Sequence, residues 1–257
     1  MERLPPLPAD WRLAWSDEFD CDGAPDPTRW VPEYGRVRNQ EAQFYTRDRR
    51  ENARVEGGCL VIEARREAWE GAEYTSASLT ARRDPLRYGR IEVRAKLPRG
   101  RGLWPAIWTL GLKTPEVPWP DCGELDLMEH VGFEPDRIHA NIHTKAFNHV
   151  LRTNLSAHWD EPGHADRFHD WVLDWTGERI LIGCDGIVRL THANDGRGDP
   201  ATWPFAQPQY LILNLAVGGF WGGQQGIDDT AFPQRFLIDH VRIYAPPAQA
   251  QTPRLSD

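Results

Sequence analysis

Three carboxylic acids crowd one short apolar segment, which reads Cys122-Gly-Glu-Leu-Asp-Leu-Met-Glu-His130. On a β-strand, Glu124 and Asp126 share a face, because side chains two residues apart point the same way. With simple alternation Glu129 would point to the opposite face. A β-bulge at Leu127–Met128 would add one residue to the strand and return Glu129 to the face of the other two acids. The pattern therefore predicts three carboxyl groups on one patch of a sheet.

Two carboxyl groups on one face suit glycoside hydrolysis. Retaining enzymes hold a nucleophile and an acid/base about 5–5.5 Å apart. Like charges that close cannot both ionise freely, so one carboxyl keeps a proton near neutral pH and can donate it to the leaving oxygen. Asp126, between the other two, would hydrogen-bond the nucleophile and help to hold the shared proton. Two alternatives are a solvated strand face and a site for Ca²⁺ or Mg²⁺, although no EF-type loop surrounds the acids.

The elements that would position these acids are predicted to be strands. Strand signals recur about every ten residues, separated by Gly, Pro, Asn and Asp turns, which favours an all-β sandwich. No window shows an amphipathic-helix period over three turns. The predicted strands are residues 59–64, 76–81, 90–97, 104–110, 124–131, 138–144, 171–175, 179–184, 210–217 and 236–244. The segments 90–97 and 236–244 alternate cleanly, and the second places Leu237 and Val241 on one face.

The sequence shows no sign of a boundary between domains. We find no internal repeat and no linker rich in Pro, Gly or Ser. We therefore predict a single domain over residues 1–257, with its core at about 11–245 and frayed ends at 1–9 and 246–257.

Composition narrows the classes of partner. The 257 residues carry a formal net charge of −8, and no basic stripe is present, so a nucleic-acid partner is not expected. No apolar run approaches the roughly 18 residues of a membrane span. Four cysteines, Cys21, Cys59, Cys122 and Cys184, occur without a CxxC pair and are predicted to be thiols or to form at most two bridges. The 12 tryptophans suit either a packed core or stacking on flat ligands such as sugar rings.

The acidic segment resembles the signature of the laminarinase-like members of glycoside hydrolase family 16, which is Glu-(Ile/Leu)-Asp-(Ile/Leu)-Met-Glu on a bulged strand. Seven further blocks are similar to those of the family and follow in family order, from about residue 11 to 245. They are WSDEFD (15–20), NQEAQFYT (39–46), YGRIEVRAKLP (88–98), GLWPAIW (102–108), WPDCGE (119–124), LNLAVGG (213–219) and DHVRIY (239–244).

The resemblance implies a fold and a set of roles. The fold is all-β, a concanavalin A-like β-jelly-roll sandwich of two antiparallel sheets with a substrate cleft across its concave face. Glu124 would be the nucleophile, Asp126 the assisting acid and Glu129 the acid/base.

Eight residues around the acids are candidates for substrate binding. Four are tryptophans: Trp104 and Trp108, four apart on a strand and so on one face, and Trp119 and Trp221, expected on the rim. Packing in the core is the alternative for the first two, and anchoring at the surface without sugar contact is the alternative for the others.

Four polar residues complete this set of candidates. Asn39 and Asn214 can hydrogen-bond sugar hydroxyls, with turn or capping roles as the alternative. Asn141 and His143 are alternate residues of a strand expected beside the acidic one, so both can face the cleft. His143 would then tune Asp126 or Glu129, unless it is a structural histidine.

Three positions depart from the family pattern. Gln40 stands where many members repeat Asn. Ser78 occupies the place of an arginine, so a cation expected at the glycone-side subsites is missing. Gly183 replaces an aromatic residue before an Asp-Gly turn, and we expect this change to affect packing on the outer sheet and not catalysis.

The resemblance also has implications for the cofactor, the metal ion and the partners of the protein. No cofactor is expected. Members often hold a structural calcium ion on the convex side, and Glu18, Gly58 and Asp239 fall in the matching blocks as candidate ligands. The expected partner is a β-glucan polysaccharide, and the protein is expected to be a monomer without membrane contact.

The sequence thus predicts an endo-acting, retaining β-1,3-glucanase for laminarin-type substrates. Mixed-linkage glucan, agar or carrageenan as substrate, transglycosylation, and a non-catalytic β-glucan-binding protein are the alternatives. The opening Met-Glu-Arg-Leu-Pro-Pro lacks the apolar stretch of a signal peptide. The protein is expected to be secreted if a leader was removed, and otherwise to act on imported oligosaccharides in the cytoplasm.

Overall fold

The protein is built almost entirely from β-strands. The computed structural model describes residues 2–81, 86–112 and 116–247. Two short 3₁₀ helices, Pro204–Ala206 and Asp229–Ala231, accompany the strands. Within the described ranges, no helix has the length and apolar character needed to span a bilayer. The strands, in chain order, are β1 (Arg12–Asp17), β2 (Trp30–Pro32), β3 (Gln43–Tyr45), β4 (Ala53–Glu56), β5 (Cys59–Trp69), β6 (Ala72–Ser76), β7 (Ser78–Ala81), β8 (Gly89–Lys96), β9 (Leu103–Gly111), β10 (Glu124–His130), β11 (Arg137–His143), β12 (Leu155–Asp160), β13 (His169–Trp175), β14 (Arg179–Cys184), β15 (Ile187–Ala193), β16 (Gln209–Val217) and β17 (Gln234–Ala245).

These strands form two sheets in a jelly-roll sandwich. In the first sheet, eight strands run in the order β15-β14-β13-β8-β17-β5-β6-β3, while β1 pairs with β17 and β4 with β5. The second sheet has the order β12-β11-β10-β9-β16-β7-β2. Neighbouring strands are antiparallel except for β3 and β6, which pair in parallel. The predicted all-β sandwich is confirmed, with one parallel pair added to it.

The hydrophobic core lies between the sheets and receives residues from both. From β8 it takes Ile91, Val93 and Ala95, whose neighbours along the strand are partly exposed, as the alternation predicts. From the second sheet it takes Leu103, Ile107, Leu125, Ile142 and Leu213, among others. The residues that alternate with these point away from the core. We call this outer side of the second sheet the acidic face, because β10 presents its carboxyl groups there.

Two expectations about individual strands were wrong. In β17 the register shifts between Ile238 and His240, so that Ile238 and Val241 are both buried and Leu237 is partly exposed. The predicted single strand at 76–81 is divided, because the chain leaves the first sheet after Ser76 and enters the second at Ser78. The crossing residue, Ala77, is fully buried in the core.

Within the described part of the N-terminal segment, Arg3 and Leu4 are paired with the first sheet, contrary to the predicted fraying of residues 1–9. Arg3 bridges Ile187, and the backbone N–H of Leu4 donates to the carbonyl of Gly186 at 2.9 Å. Leu4 lies over Gly183, where an added Cβ would come within 2.8 Å of Leu4 Cδ1. The glycine that departs from the family pattern therefore makes room for the N-terminal segment. The C-terminal end that was predicted to be frayed, residues 246–257, lies mostly outside the described residues.

Candidate active site

The predicted bulge is present in β10 and brings the three acids to the acidic face. Asp126 pairs with Asn141 and Glu129 with His139 on β11, and the register shifts between these two pairs. The pairing with β9 shifts at the same place. On the opposite side, Leu125, Leu127 and Met128 all enter the core, because the extra residue lets two successive side chains point inward.

Glu124 and Asp126 share a histidine neighbour. The Nε2 atom of His143 lies 3.4 Å from Asp126 Oδ2 and 3.7 Å from Glu124 Oε1. The indole N–H of Trp119 donates to Glu124 Oε2 at 3.1 Å. The structure therefore brings the predicted residues His143 and Trp119 to the first two acids.

Glu129 is held through both of its oxygens. The amide of Asn141 donates to Oε2 at 2.7 Å, and the indole N–H of Trp104 donates to Oε1 at 3.0 Å. Asn154 in turn donates to Asn141 Oδ1 at 3.1 Å, which fixes the orientation of that amide. Two donors on a carboxylate restrict its rotation and favour its charged form.

The electrostatics of the acidic face oppose full ionisation. Burial, and then the charge of Asp126, raise the pKa of Glu124 to about 8. Burial and the charge of Glu129 raise the pKa of Asp126 well above its ordinary value. Burial also raises the pKa of Glu129, against the hydrogen bond from Asn141. Three interacting carboxyl groups titrate as one set, so the site retains at least one proton at neutral pH.

Trp108 lies on the acidic face next to Asp126 and is more enclosed than a bare stacking platform. It belongs to a small apolar cluster, separate from the main core, with Ala106, Leu110, Cys122 and Ile212. Only 7% of Trp108 is exposed, and its indole N–H donates to Asn214 Oδ1 at 2.7 Å. Trp104 and Trp108 both lie on the acidic face and outside the main core, but Trp108 is buried in the smaller cluster, so the core alternative holds in part for Trp108.

The two candidate asparagines outside β11 already have partners within the protein. Asn214 accepts the Trp108 N–H and donates to the Tyr45 hydroxyl at 3.1 Å. The side-chain amide of Asn39 donates to Glu41 Oε1 at 3.3 Å, and the backbone carbonyl of Asn39 accepts the backbone N–H of Phe220 at 3.0 Å. Asn214 thus positions Trp108, and Asn39 ties its loop to the segment that carries Trp221.

Trp221 lies beside Trp104 and a histidine that the sequence analysis missed. Its ring centroid is 5.5 Å from that of Trp104 and 4.8 Å from that of His139. His139 is also hydrogen-bonded to Glu134 at 2.7 Å. The alternation His139, Asn141, His143 along β11 is a signal that could have identified it.

Two more residues near the site were missed. His149, from the segment after β11, lies against Trp119 with ring centroids 5.1 Å apart. The Arg38 guanidinium lies over the Trp108 ring, 5.1 Å from its centroid. Both come from loops, where no periodic pattern marks the direction of a side chain.

The acidic side chains of the predicted calcium site do not form an open oxygen cage. Both carboxylate oxygens of Glu18 accept hydrogen bonds from Arg242, at 3.1 and 2.7 Å. Asp239 is hydrogen-bonded to His240 at 2.7 Å and lies 3.8 Å from Arg94. The third predicted ligand, Gly58, is an exposed turn residue. Calcium prefers oxygen ligands that carry no competing cation, so these side chains do not fit it.

Two other groups in the described part of the chain have metal-ligand spacing, namely Glu161, His169, Cys184 and Glu124, Asp126, His143. In the first group, Arg167 and Arg189 lie 3.1 and 3.4 Å from the two oxygens of Glu161. Burial and the nearby Asp185 carboxylate raise the pKa of the Cys184 thiol, so it stays protonated. The second group is part of the acidic face itself.

Comparison with known proteins agrees with this geometry. A β-glucanase of Rhodothermus marinus is 50% identical over 243 residues, which are 91% of this chain and 85% of that protein. The solved laminarinase from Rhodothermus marinus superposes with a TM-score of 0.88 at 49% identity, over 91% of this chain and 97% of that one. A non-specific endo-β-1,3(4)-glucanase from family GH16 superposes with a TM-score of 0.89 at 44% identity, over 95% and 94%. The family model described as Glycosyl hydrolases family 16 matches residues 40–239, and the chain belongs to that family.

Proposed function

We propose that this protein is an endo-acting β-1,3-glucanase that hydrolyses laminarin-type glucans with retention of configuration. The observation that carries the proposal is the bulged strand β10, which sets Glu124, Asp126 and Glu129 on one face, with Glu124 partly buried and the other two buried. The named activities of the relatives, β-glucanase and laminarinase, support the choice of substrate.

In the first step, a Glu124 carboxylate oxygen attacks the anomeric carbon of the sugar. The bond from that carbon to the leaving oxygen breaks, and Glu129 gives its proton to the leaving oxygen. In the second step, Glu129, now ionised, takes a proton from water, and the water oxygen attacks the anomeric carbon. The bond to Glu124 breaks, which restores the starting carboxylate and carboxylic acid. Two displacements leave the configuration unchanged.

The surrounding residues fit these roles. Nucleophilic attack needs an ionised Glu124 and a protonated Glu129. Burial raises the pKa of both glutamates and of Asp126, so the three groups share protons, and the active form is the one in which Asp126 and Glu129 hold them. Trp104 and Asn141 fix the position of Glu129. We therefore assign Asp126 as the assisting acid, and Trp104, Asn141 and Trp119 as residues that position the two catalytic glutamates.

Catalysis in this scheme needs no cofactor, because both proton transfer and nucleophilic attack use carboxyl groups of the chain. A structural calcium ion stays a prediction of the family resemblance, which the paired side chains of Glu18 and Asp239 do not support. We also propose that the protein acts as a monomer on a polysaccharide that lies across the acidic face.

Release of reducing ends from laminarin, lichenan and agarose tests the substrate class. We expect the fastest release from laminarin, with Glu124→Ala as the inactive control. Proton NMR of the laminarin digest should show the β-anomer of the new reducing end first, with the α-anomer following by mutarotation. Early α-anomer would overturn the retaining mechanism, and preference for agarose would overturn the substrate.

A further inference from the structure

We propose that Arg38 is a substrate-binding residue at the end of the acidic face formed by β16, β7 and β2, where it binds hydroxyl groups of a neutral glucan. Glu33 and Ser78 hold it in place. This inference rests on the proposed function and adds to it a specificity-determining residue from a loop.

The first observation is the position of Arg38. Its guanidinium lies 5.1 Å from the centroid of the Trp108 ring, and Trp108 pairs with Asp126 in the sheet register. Residues 36–41 line a groove of about 470 Å³, and the Arg38 side chain is 20% exposed. Arg38 therefore lies one side chain away from the acids, packed on an aromatic ring and still partly exposed.

The second observation is how the guanidinium is anchored. Arg38 Nη2 donates to the carboxylate of Glu33, and the Ser78 hydroxyl donates to Glu33 Oε2 at 2.5 Å. Ser78 is fully buried and pairs with Asn214, which accepts the Trp108 N–H. Glu33, supported by Ser78, and Trp108 thus fix the guanidinium from two sides, through an ion pair and through contact with the ring.

The third observation is an unused donor. Arg38 Nη1 is buried and has no hydrogen-bond partner among the described residues. A guanidinium carries five N–H donors in a rigid fork, and leaving a buried donor unpaired is unfavourable. A sugar hydroxyl that displaces the side chains covering Nη1 can supply the missing acceptor while Nη2 keeps its ion pair with Glu33.

The charge of Glu33 selects the class of sugar. Because Glu33 neutralises Arg38, an anionic sugar such as a sulfated galactan would have to compete with a carboxylate that is already in place. Neutral hydroxyl groups can add to the remaining donors without breaking the ion pair. The arrangement therefore favours an uncharged glucan.

This arrangement also accounts for Ser78, where the family resemblance led us to expect an arginine. The serine does not simply remove a cation from this end of the cleft. Its hydroxyl supports Glu33, and Glu33 brings Arg38 to the acidic face from the loop. The loop is anchored on both sides, since Arg36 donates to the Gly71 carbonyl at 2.8 Å and the Asn39 carbonyl accepts from Phe220 at 3.0 Å.

Binding of laminarihexaose, measured by calorimetry, tests the inference without turnover. The Glu124→Gln background prevents hydrolysis. In that background Arg38→Met, which keeps an apolar stem over Trp108, should weaken binding about 10-fold or more, the expected loss for a charged hydrogen-bond donor. The affinity of Arg38→Lys should lie between that of the Glu124→Gln background and that of Arg38→Met. The matched control is Arg94→Ala in the first sheet, because Arg94 also lies over an aromatic ring, that of Phe168, and pairs with Asp170. It should leave binding unchanged.

Kinetics in the otherwise unchanged enzyme provide a second readout. With laminari-oligosaccharides, Arg38→Met should raise KM about 10-fold with little change in kcat, and should shift the preferred cleavage position. Equal affinity, KM and cleavage pattern in Arg38→Met and the parent would overturn the inference while leaving the proposed function intact. A parent enzyme without activity on laminarin that still loses hexaose affinity on Arg38→Met would overturn the proposed function instead. If Arg38→Met unfolds, Arg38→Lys and Glu33→Gln replace it in the test. Parent-like binding of laminarihexaose by both variants would contradict the inference that Arg38 binds substrate.

Discussion

At the scale of single residues, Glu124 couples the chemistry of the site to the stability of the fold. Burial and the adjacent Asp126 raise its pKa from the ordinary 4.5 to about 8. Between these two pH values the folded protein binds a proton that the unfolded chain has released. Folding stability therefore falls as the pH rises from 4.5 to about 8. Below pH 4.5 Glu124 is protonated in both the folded and the unfolded state, so it causes no loss of stability there.

We expect Glu124→Gln to make the protein more stable than the parent at pH 8, by on the order of 1–3 kcal/mol. The gain should shrink as the pH falls and vanish near pH 4.5, where the parent carboxyl is protonated in both states. Urea unfolding at pH 4.5, 6 and 8 measures this difference. Glu178→Gln, at an exposed position, serves as the control and should show no pH-dependent gain. A gain of equal size at all three pH values would contradict the electrostatic explanation.

The residues of the candidate site differ in how far local sequence predicts them. Glu124, Asp126 and Glu129 follow from strand alternation and one bulge, and Asn141 and His143 follow from the alternation of β11. Arg38 could not be predicted, because its place depends on Glu33 and Ser78, which are close to it only in the folded protein. Trp108 was predicted on the correct face. The contact of Arg38 with its ring was not predicted, because the two residues are close only in the folded protein.

At the scale of elements, the two bulges show what a pattern of side chains can reveal. In β10 the adjacent apolar residues Leu127 and Met128 break the alternation, so the sequence itself predicts the extra residue. In β17 the adjacent polar residues Asp239 and His240 also break the alternation, and the register shifts there, between Ile238 and His240. The predicted alternation placed Asp239 on the same face as Leu237 and Val241 and so missed this signal.

The N-terminal segment provides a test at the same scale. Leu4 packs on Gly183, and we expect Leu4→Ala to lower the free energy of unfolding by about 1–2 kcal/mol, less than for a fully buried leucine. Gly183→Ala should also destabilise the protein, because the new Cβ would lie 2.8 Å from both Leu4 Cδ1 and the Ile187 carbonyl oxygen. Thermal unfolding measures both. Leu13→Ala is the control, since Leu13 is 52% exposed, and should change stability by less than about 0.5 kcal/mol. Parent-like unfolding of both variants would show that the segment is frayed in solution.

At the scale of the whole molecule, the sandwich follows from the sequence but its strand order does not. Turn residues and alternating strands predict two layers, since each strand has one apolar face to bury. The order of strands depends on contacts between distant parts of the chain, such as β8 between β13 and β17. The change of sheet at Ala77 could not be predicted from the sequence either, because the residues on either side of it form one continuous strand pattern.

At the scale of the whole molecule, no disulfide cross-links the two sheets, because all four cysteines, each in the described part of the chain, are thiols. Cys21 is exposed, whereas Cys122 and Cys184 are buried. We expect a thiol reagent to modify Cys21 rapidly in the native protein and all four cysteines after unfolding, with no effect of a reductant on Tm. Cys21→Ser should remove the rapid phase. Detection of fewer than four thiols in the unfolded, unreduced protein would reveal a disulfide.

The assignment of Glu124 as nucleophile and Glu129 as acid/base is tested most directly by azide rescue of the two alanine variants on an activated aryl β-glucoside of a laminari-oligosaccharide. In Glu129→Ala the glycosyl-enzyme still forms on Glu124, so azide should attack it from the opposite face and give a β-glycosyl azide. In Glu124→Ala azide should take the place of the missing carboxylate and give an α-glycosyl azide. Products with the two anomers exchanged would contradict the assignment.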